Sequence, residues 1–404
     1  MQSTAEYRPE TTRPAHVTLA RLMAVAVALL TVSLPAAAQS DADDSGATRK
    51  KSRAKSGGDA GANEDAAGKK SKKDDLKPFP EGPLQKQFQE KLGGDFKVRH
   101  TDHFFVLYSA DEEVVKDFIL RIEATYAAVH RFATQMGVDI DYPKEKLPIV
   151  FCSEFDQYSS VAQALAGAPA PREAAGLYFP QPNFSLFYDM AHSVTVLDQT
   201  AQAKALQEEA RRATDSKTKK EKSREAQFIL NRLNDYQERN NKSVVQHEVA
   251  HQLLYNFQVH HRDAPNPVWF VEGLATLFEP PPGKTGAGFN VVNQYRLWRL
   301  READAANALA DLREFVQKPE LLRGSGDQMD RGYAQAWGLM YYLSQKKKAE
   351  LRQFVELIKT RKPREVIPPE RELADFEKCF GKLDESFRKN WHKFLKSVPY
   401  RAPR

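Results

Sequence analysis

Between residues 240 and 261 the chain has neither glycine nor proline. Val244, Val245, Ala250, Leu253, Leu254 and Phe257 recur there at helical spacing, which predicts a buried helix. The same stretch carries His247, Glu248 and His251 in the pattern H-E-x-x-H. On a helix, imidazoles four residues apart share one face and stand one turn apart, so both can hold a single metal ion. Glu248 follows His247 directly and points about 100° round the helix axis. It would reach a water bound to the metal rather than the metal itself.

A third donor is expected on the next helix. After the break at Asp263-Ala264-Pro265-Asn266-Pro267, an apolar run from Val268 to Phe278 starts just past a proline and has Glu272 in its middle. A carboxylate among Trp269, Phe270, Val271 and Leu274 is costly unless it is paired or holds a cation. Zinc in hydrolytic sites takes three protein ligands, two His and one Glu being one such set, and keeps one position for water. Glu272 is therefore the third-ligand candidate, against the alternative of a salt bridge to Arg299 or Arg331. A metzincin arrangement needs Gly and His at the third and sixth positions after His251, where this chain has Leu254 and Phe257. His260 and His261 are further donors, but at the polar end of the helix beside Arg262 and Asp263.

In these features the chain resembles the gluzincin group of zinc metallopeptidases, whose third ligand is a Glu on the helix after the H-E-x-x-H helix. In detail it is similar to a group of uncharacterised exported bacterial peptidase-like proteins in which H-E-x-x-H-Q-L-L-Y-N is followed by W-x-x-E-G-L-A. Those phrases stand here at 247–256 and 269–275. The resemblance implies a Zn2+ ion held by His247, His251 and Glu272, with Glu248 as general base and a peptide or protein as substrate. It also implies a Tyr or His donor beyond the third ligand. Tyr333, in the phrase Arg331-Gly332-Tyr333-Ala334-Gln335-Ala336-Trp337, is the candidate, placed near the start of a helix; Arg331 is the runner-up, and simple packing of Tyr333 on Trp337 is the alternative. Twenty residues separate His251 from Glu272, more than in the best-known gluzincins, but loop length between helices is tolerant.

The beginning of the chain has a different character. Residues 22–38 carry no charge and end in Ala36-Ala37-Ala38, which fits an export signal cleaved after Ala38; an uncleaved anchor is the alternative. Residues 39–77 are rich in Gly, Ala, Ser, Asp and Lys with almost no apolar side chain, so they cannot bury enough surface to order themselves and form a charged linker. Their lysine clusters are largely offset by acids, and a net charge of only +6 over 404 residues gives no nucleic-acid footprint. A periplasmic or secreted protein, with no stable membrane insertion after signal cleavage, is expected.

The folded region then reads as an α+β protein of zincin-like architecture. A small mixed-sheet lobe (78–240) should lie over the motif helix, followed by a helical lobe (241–403). Strands are expected at 96–107 and 146–152, helices at 111–136 and 157–165, and a hairpin around Pro180-Gln181-Pro182-Asn183. The resemblance implies that this hairpin supplies the substrate-binding edge of the sheet. The highly charged stretch 201–241 reads as a solvated helical excursion. Helices are expected at 291–301, 305–316, 333–345, 349–359, 370–380 and 383–395. Cys152 and Cys379 are the only cysteines and could bridge the lobes in an oxidising compartment. A non-catalytic envelope-associated binding protein that keeps a peptidase fold is the second functional reading.

Overall fold

A computed structural model describes residues 77–401 except 95, 173, 281–288 and 324–325. The expected signal segment, and all of the expected linker but Lys77, lie outside the described residues. No helix among those described is long and apolar enough to cross a membrane.

The architecture is α+β. A five-stranded mixed sheet is built from β1 (Lys97–His100), β2 (Phe104–Tyr108), β3 (Leu147–Cys152), β4 (Gly176–Phe179) and β5 (Phe184–Tyr188). Its order is β1-β2-β3-β5-β4, with β2, β3 and β5 parallel and the two outer strands antiparallel. The strand expected over 96–107 is two strands. Thr101, Asp102 and His103 turn the chain there, with Thr101 Oγ1 accepting from the Phe104 amide at 3.0 Å. Every residue of β2 to β5 is buried, as the inner strands of a sheet covered on both faces should be.

Helices α1 (Leu84–Leu92), which sequence periodicity did not announce, α2 (Glu112–Met136) and α3 (Phe155–Ala166) complete the first lobe. Asp111 caps α2 by accepting from the Glu113 amide, and Gly137 closes it in the left-handed conformation. The charged excursion is a helical hairpin, α4 (Val194–Arg212) and α5 (Ser216–Asn256). The motif helix is the last part of α5, which runs without interruption through residues 240 and 241 for 41 residues in all. A small-residue seam, with Ala203 and Ala210 on α4 and Ala226 on α5 buried, lets the two arms pack along their length.

The C-terminal lobe is helical: α6 (Val268–Thr276), α7 (Gln294–Ala305), α8 (Leu312–Gln317), α9 (Gly326–Lys346), α10 (Lys348–Lys359), α11 (Pro369–Phe380) and α12 (Glu385–Ser397). The helix expected over 305–316 is not continuous. The chain leaves α7 through Asn307, whose φ is 52°, and restarts at α8 with Asp311 as its cap. Two close approaches set the layout. A Cβ on Gly176 of β4 would meet Phe187 at 2.7 Å and Val244 at 2.8 Å, so only glycine lets that strand lie against α5. A Cβ on Gly273 of α6 would stand 3.0 Å from the Ala336 carbonyl oxygen, so α6 and α9 cross almost backbone to backbone. Cys152 and Cys379 are both free, so no disulfide joins the lobes; Cys152 is a buried residue of β3, where burial pushes its thiol pKa up.

Candidate metal centre

The end of α5 passes between the sheet lobe and the helical lobe, and α6 crosses it carrying Glu272. His247, His251 and Glu272 meet there, all buried. His247 Nε2 lies 3.0 Å from His251 Nε2 and 3.3 Å from Glu272 Oε2, and His251 Nε2 lies 3.5 Å from the same oxygen. An ion bound tetrahedrally at about 2.0–2.1 Å holds its ligand atoms roughly 3.3 Å apart. The three donors thus form one face of such a tetrahedron. Two imidazole nitrogens converging on a carboxylate inside the protein are what a divalent cation would satisfy.

The alternative partners proposed for Glu272 are engaged elsewhere. Arg299 pairs with Asp330, Asp327 and Glu302, and Arg331 pairs with Asp327. Arg331 is therefore tied to the outer turn of α9 and not to the site. His260 and His261 fall outside the cluster. His261 Nδ1 accepts from the amides of Asp263 and Ala264, whereas His260 is buried with neither ring nitrogen hydrogen-bonded.

Behind the triad lies a polar layer that sequence reading missed. Glu279 Oε1 stands 3.1 Å from His247 Nδ1. A carboxylate only accepts, so Nδ1 carries the proton and Nε2 is left facing the other donors. Glu279 is held in turn by Arg296 Nε at 2.9 Å, Arg296 Nη2 at 2.8 Å and Asn293 Nδ2 at 2.7 Å. Arg296 also donates to Asp330 at 2.9 Å. Gln246, beside the first motif histidine, donates to the carbonyls of Phe278 at 2.7 Å and Pro280 at 2.8 Å and so fixes the segment that presents Glu279. The available signal was spacing, since Glu279 follows Glu272 by seven residues and Arg296 and Arg299 recur three apart among Leu297, Trp298 and Leu300.

The electrostatics follow from burial and these pairs. Burial pulls the His247 pKa down, but hydrogen bonds to Glu272 and Glu279 outweigh it and push it up to about 10. His251, with less carboxylate around it, is lowered by burial. Glu272 is opposed by burial yet held well below the usual carboxylate range by the two histidines. Glu248 lies beside the triad, and burial pushes it up to about 8 against the opposing charge of His247. Its Oε2 accepts from the Tyr178 amide of β4 at 2.8 Å, while Oε1 is buried with no partner.

Tyr333 reaches the same place from α9. Its ring centroid is 5.9 Å from that of His247, and burial together with the charges of Glu272 and Glu248 raises the pKa of its hydroxyl. It stands seven residues into α9 rather than near its start, because the helix begins at Gly326. Arg296 lies over the Tyr333 ring at 5.2 Å. One turn before Glu248, Val244 and Val245 line a cavity of about 240 Å³ together with Phe118, Phe187 and Met190, with Asp117 and Arg121 also in its wall.

The fold and the cluster together define an α+β protein with a buried His, His, Glu set able to hold a divalent metal. A family model described as "Protein of unknown function (DUF1570)" matches residues 241–365, from the motif-bearing end of α5 to just beyond α10 and less than a third of the chain. No curated protein matches the chain.

Proposed function

We propose that the protein is an exported zinc-dependent peptidase in which His247, His251 and Glu272 hold the ion and Glu248 is the general base. The observation that carries this reading is the carboxylate of Glu248, poised beside the triad with one oxygen anchored and the other unpartnered. A bound zinc would supply Lewis acidity toward a peptide carbonyl and would lower the pKa of the attacking water. Glu248 Oε1 would take a proton from that water as its oxygen adds to the carbonyl carbon. The same proton would then pass to the leaving nitrogen as the C–N bond breaks, leaving a carboxylate and an amine. The Tyr178 amide would hold Oε2 and leave Oε1 free to take the proton. Tyr333 would donate its hydroxyl hydrogen to the oxyanion, because its pKa, raised by burial and by Glu272 and Glu248, keeps it protonated. Glu279, Asn293 and Arg296 keep His247 oriented.

Export rests on residues 22–38 alone. A second reading, a binding protein that retains the peptidase fold, is favoured by one observation: the ligand atoms and Glu248 are all shut away from solvent, none of the four residues being more than 2% exposed. Incubating the metal-supplemented protein and its Glu248→Gln variant with a denatured protein mixture, and sequencing the fragments by mass spectrometry, separates the two. Peptidase activity requires new termini that are absent with Glu248→Gln. Retained metal with no new termini from either protein favours the binding protein.

A further inference from the structure

Most arginines around the site are neutralised. Arg296 faces Glu279 and Asp330, Arg299 faces Asp330, and Arg361 faces Glu372 and Asp375. Arg262 differs: it is half-buried, and its hydrogen bond is from Nη1 to the Pro180 carbonyl at 3.1 Å, with no ion pair to a carboxylate among the described residues. A guanidinium held in place without a counter-charge is suited to accept one from a ligand. Its position is fixed on both sides. Pro180 follows β4 directly, and the loop that carries Arg262 is braced by Asn266, which accepts from the His261 amide at 2.9 Å and donates to the His261 carbonyl at 2.7 Å. Arg361 donates to the Pro265 carbonyl at 3.1 Å from below.

Two rulers place this cation relative to the chemistry. Along β4, Pro180 lies two residues beyond Tyr178, whose amide holds Glu248, about 7 Å of extended chain. Along α5, Tyr255 lies one turn beyond His251 on the same face, roughly 6 Å away. The Tyr255 ring is 5.6 Å from that of Tyr178, and the field of Arg262 reaches both hydroxyls, opposing the rise that burial imposes on them. Tyr255 is half-buried rather than sealed. It also feels the charge of Glu272.

We propose that Arg262, with the Tyr255 hydroxyl beside it, binds a carboxylate of the substrate about two residues beyond the bond that is cleaved, which would direct the site to the free carboxyl end of peptides. This rests on the peptidase reading for its substrate class. An extended peptide advances about 3.3–3.4 Å per residue, so two residues match the stretch of β4 from Tyr178, whose amide holds Glu248, to Pro180, whose carbonyl holds the guanidinium. The carboxylate would replace the missing counter-ion and take the free N–H groups of Arg262.

The test separates binding from turnover. Zinc-loaded protein carrying Glu248→Gln is titrated by calorimetry with an acetylated hexapeptide pool ending in a free carboxylate, with the matched carboxamide pool, and with a carboxamide pool whose last residue is Asp. The free acids should bind about tenfold to a hundredfold tighter than the amides. Adding Arg262→Met should bring the ratio close to one, and Arg262→Lys should keep part of it. Restoration of tight binding by the Asp pool would assign the carboxylate to a side chain; failure to restore it would assign it to the chain end. Equal binding of acids and amides, a preference that survives Arg262→Met, or no binding of either pool would overturn the proposal. Wild-type protein run on the same pools reports the other question. Binding with the expected preference but no cleavage would sink the peptidase reading alone, and cleavage of acids and amides at equal rates with equal binding would sink the carboxylate site alone.

Discussion

Replacing Glu279 by glutamine tests whether the layer behind the triad tunes the metal site. The Glu279 carboxylate accepts from His247 Nδ1, two nitrogens of Arg296 and the Asn293 amide, at 2.7–3.1 Å. Glutamine keeps the shape but offers one carbonyl oxygen and an amide that only donates, so at least two of those donors lose their acceptor. Each is a buried charge-assisted hydrogen bond worth about 1.5–3 kcal/mol, which gives a loss of roughly 3–6 kcal/mol. For a folded region of this size that lowers Tm by about 5–10 °C. His247 also loses the partner that fixes its proton on Nδ1, and metal affinity should fall roughly tenfold to a hundredfold. Competition with a chromophoric chelator measures the second quantity and scanning calorimetry the first. A variant that melts within 1 °C or so of the parent and binds zinc within about twofold of it would refute the assignment of Glu279 to orienting His247.

Tyr333→Phe should lower turnover by roughly tenfold to a thousandfold with metal content unchanged; measured kcat within twofold of the parent would remove Tyr333 from the reaction. Gly273→Val should cost about 1–3 kcal/mol or more, because its Cβ would press on the Ala336 carbonyl, and urea titration would read the loss directly. The metal-free protein should become less stable as pH rises from about 5 to 8. Glu248 titrates near 8 in the folded chain against an ordinary value of 4.5, so the folded state holds the extra proton in that window and the advantage is lost as pH climbs through it. Glu248→Gln should flatten the Tm profile from about pH 5 to 6.5, above which the raised pKa of His247 keeps a downward slope of its own; a profile unchanged by the substitution would contradict the burial argument.

What the sequence made legible was whatever a short window encodes. The periodicity of α2 and α5, the turn residues 180–183 between β4 and β5, and the uncompensated Glu272 in an apolar run each declare themselves within some twenty-five residues. Spacing along α5 and the helix after Pro267 were enough to bring His247, His251 and Glu272 together. The turn at residues 101–103 was hidden because it carries neither glycine nor proline, and α7 and α8 read as neighbours of one another until Asn307 breaks the path. The network of Glu279, Arg296 and Asp330 was not legible for a different reason. Its pairs are 17 and 34 residues apart, and nothing local tells a buried arginine on a helix from an exposed one. The unbroken course of α5 from the charged hairpin into the metal site was obscured by composition, which changes from solvated to apolar while the helix does not.

His247, His251 and Glu272 are proposed to hold one zinc ion. Elemental analysis of protein purified without chelator and supplemented with zinc tests it most directly. Close to one equivalent of zinc per chain is expected, retained by Glu248→Gln and largely lost by Glu272→Gln; less than about a tenth of an equivalent in the parent protein would contradict a zinc site there.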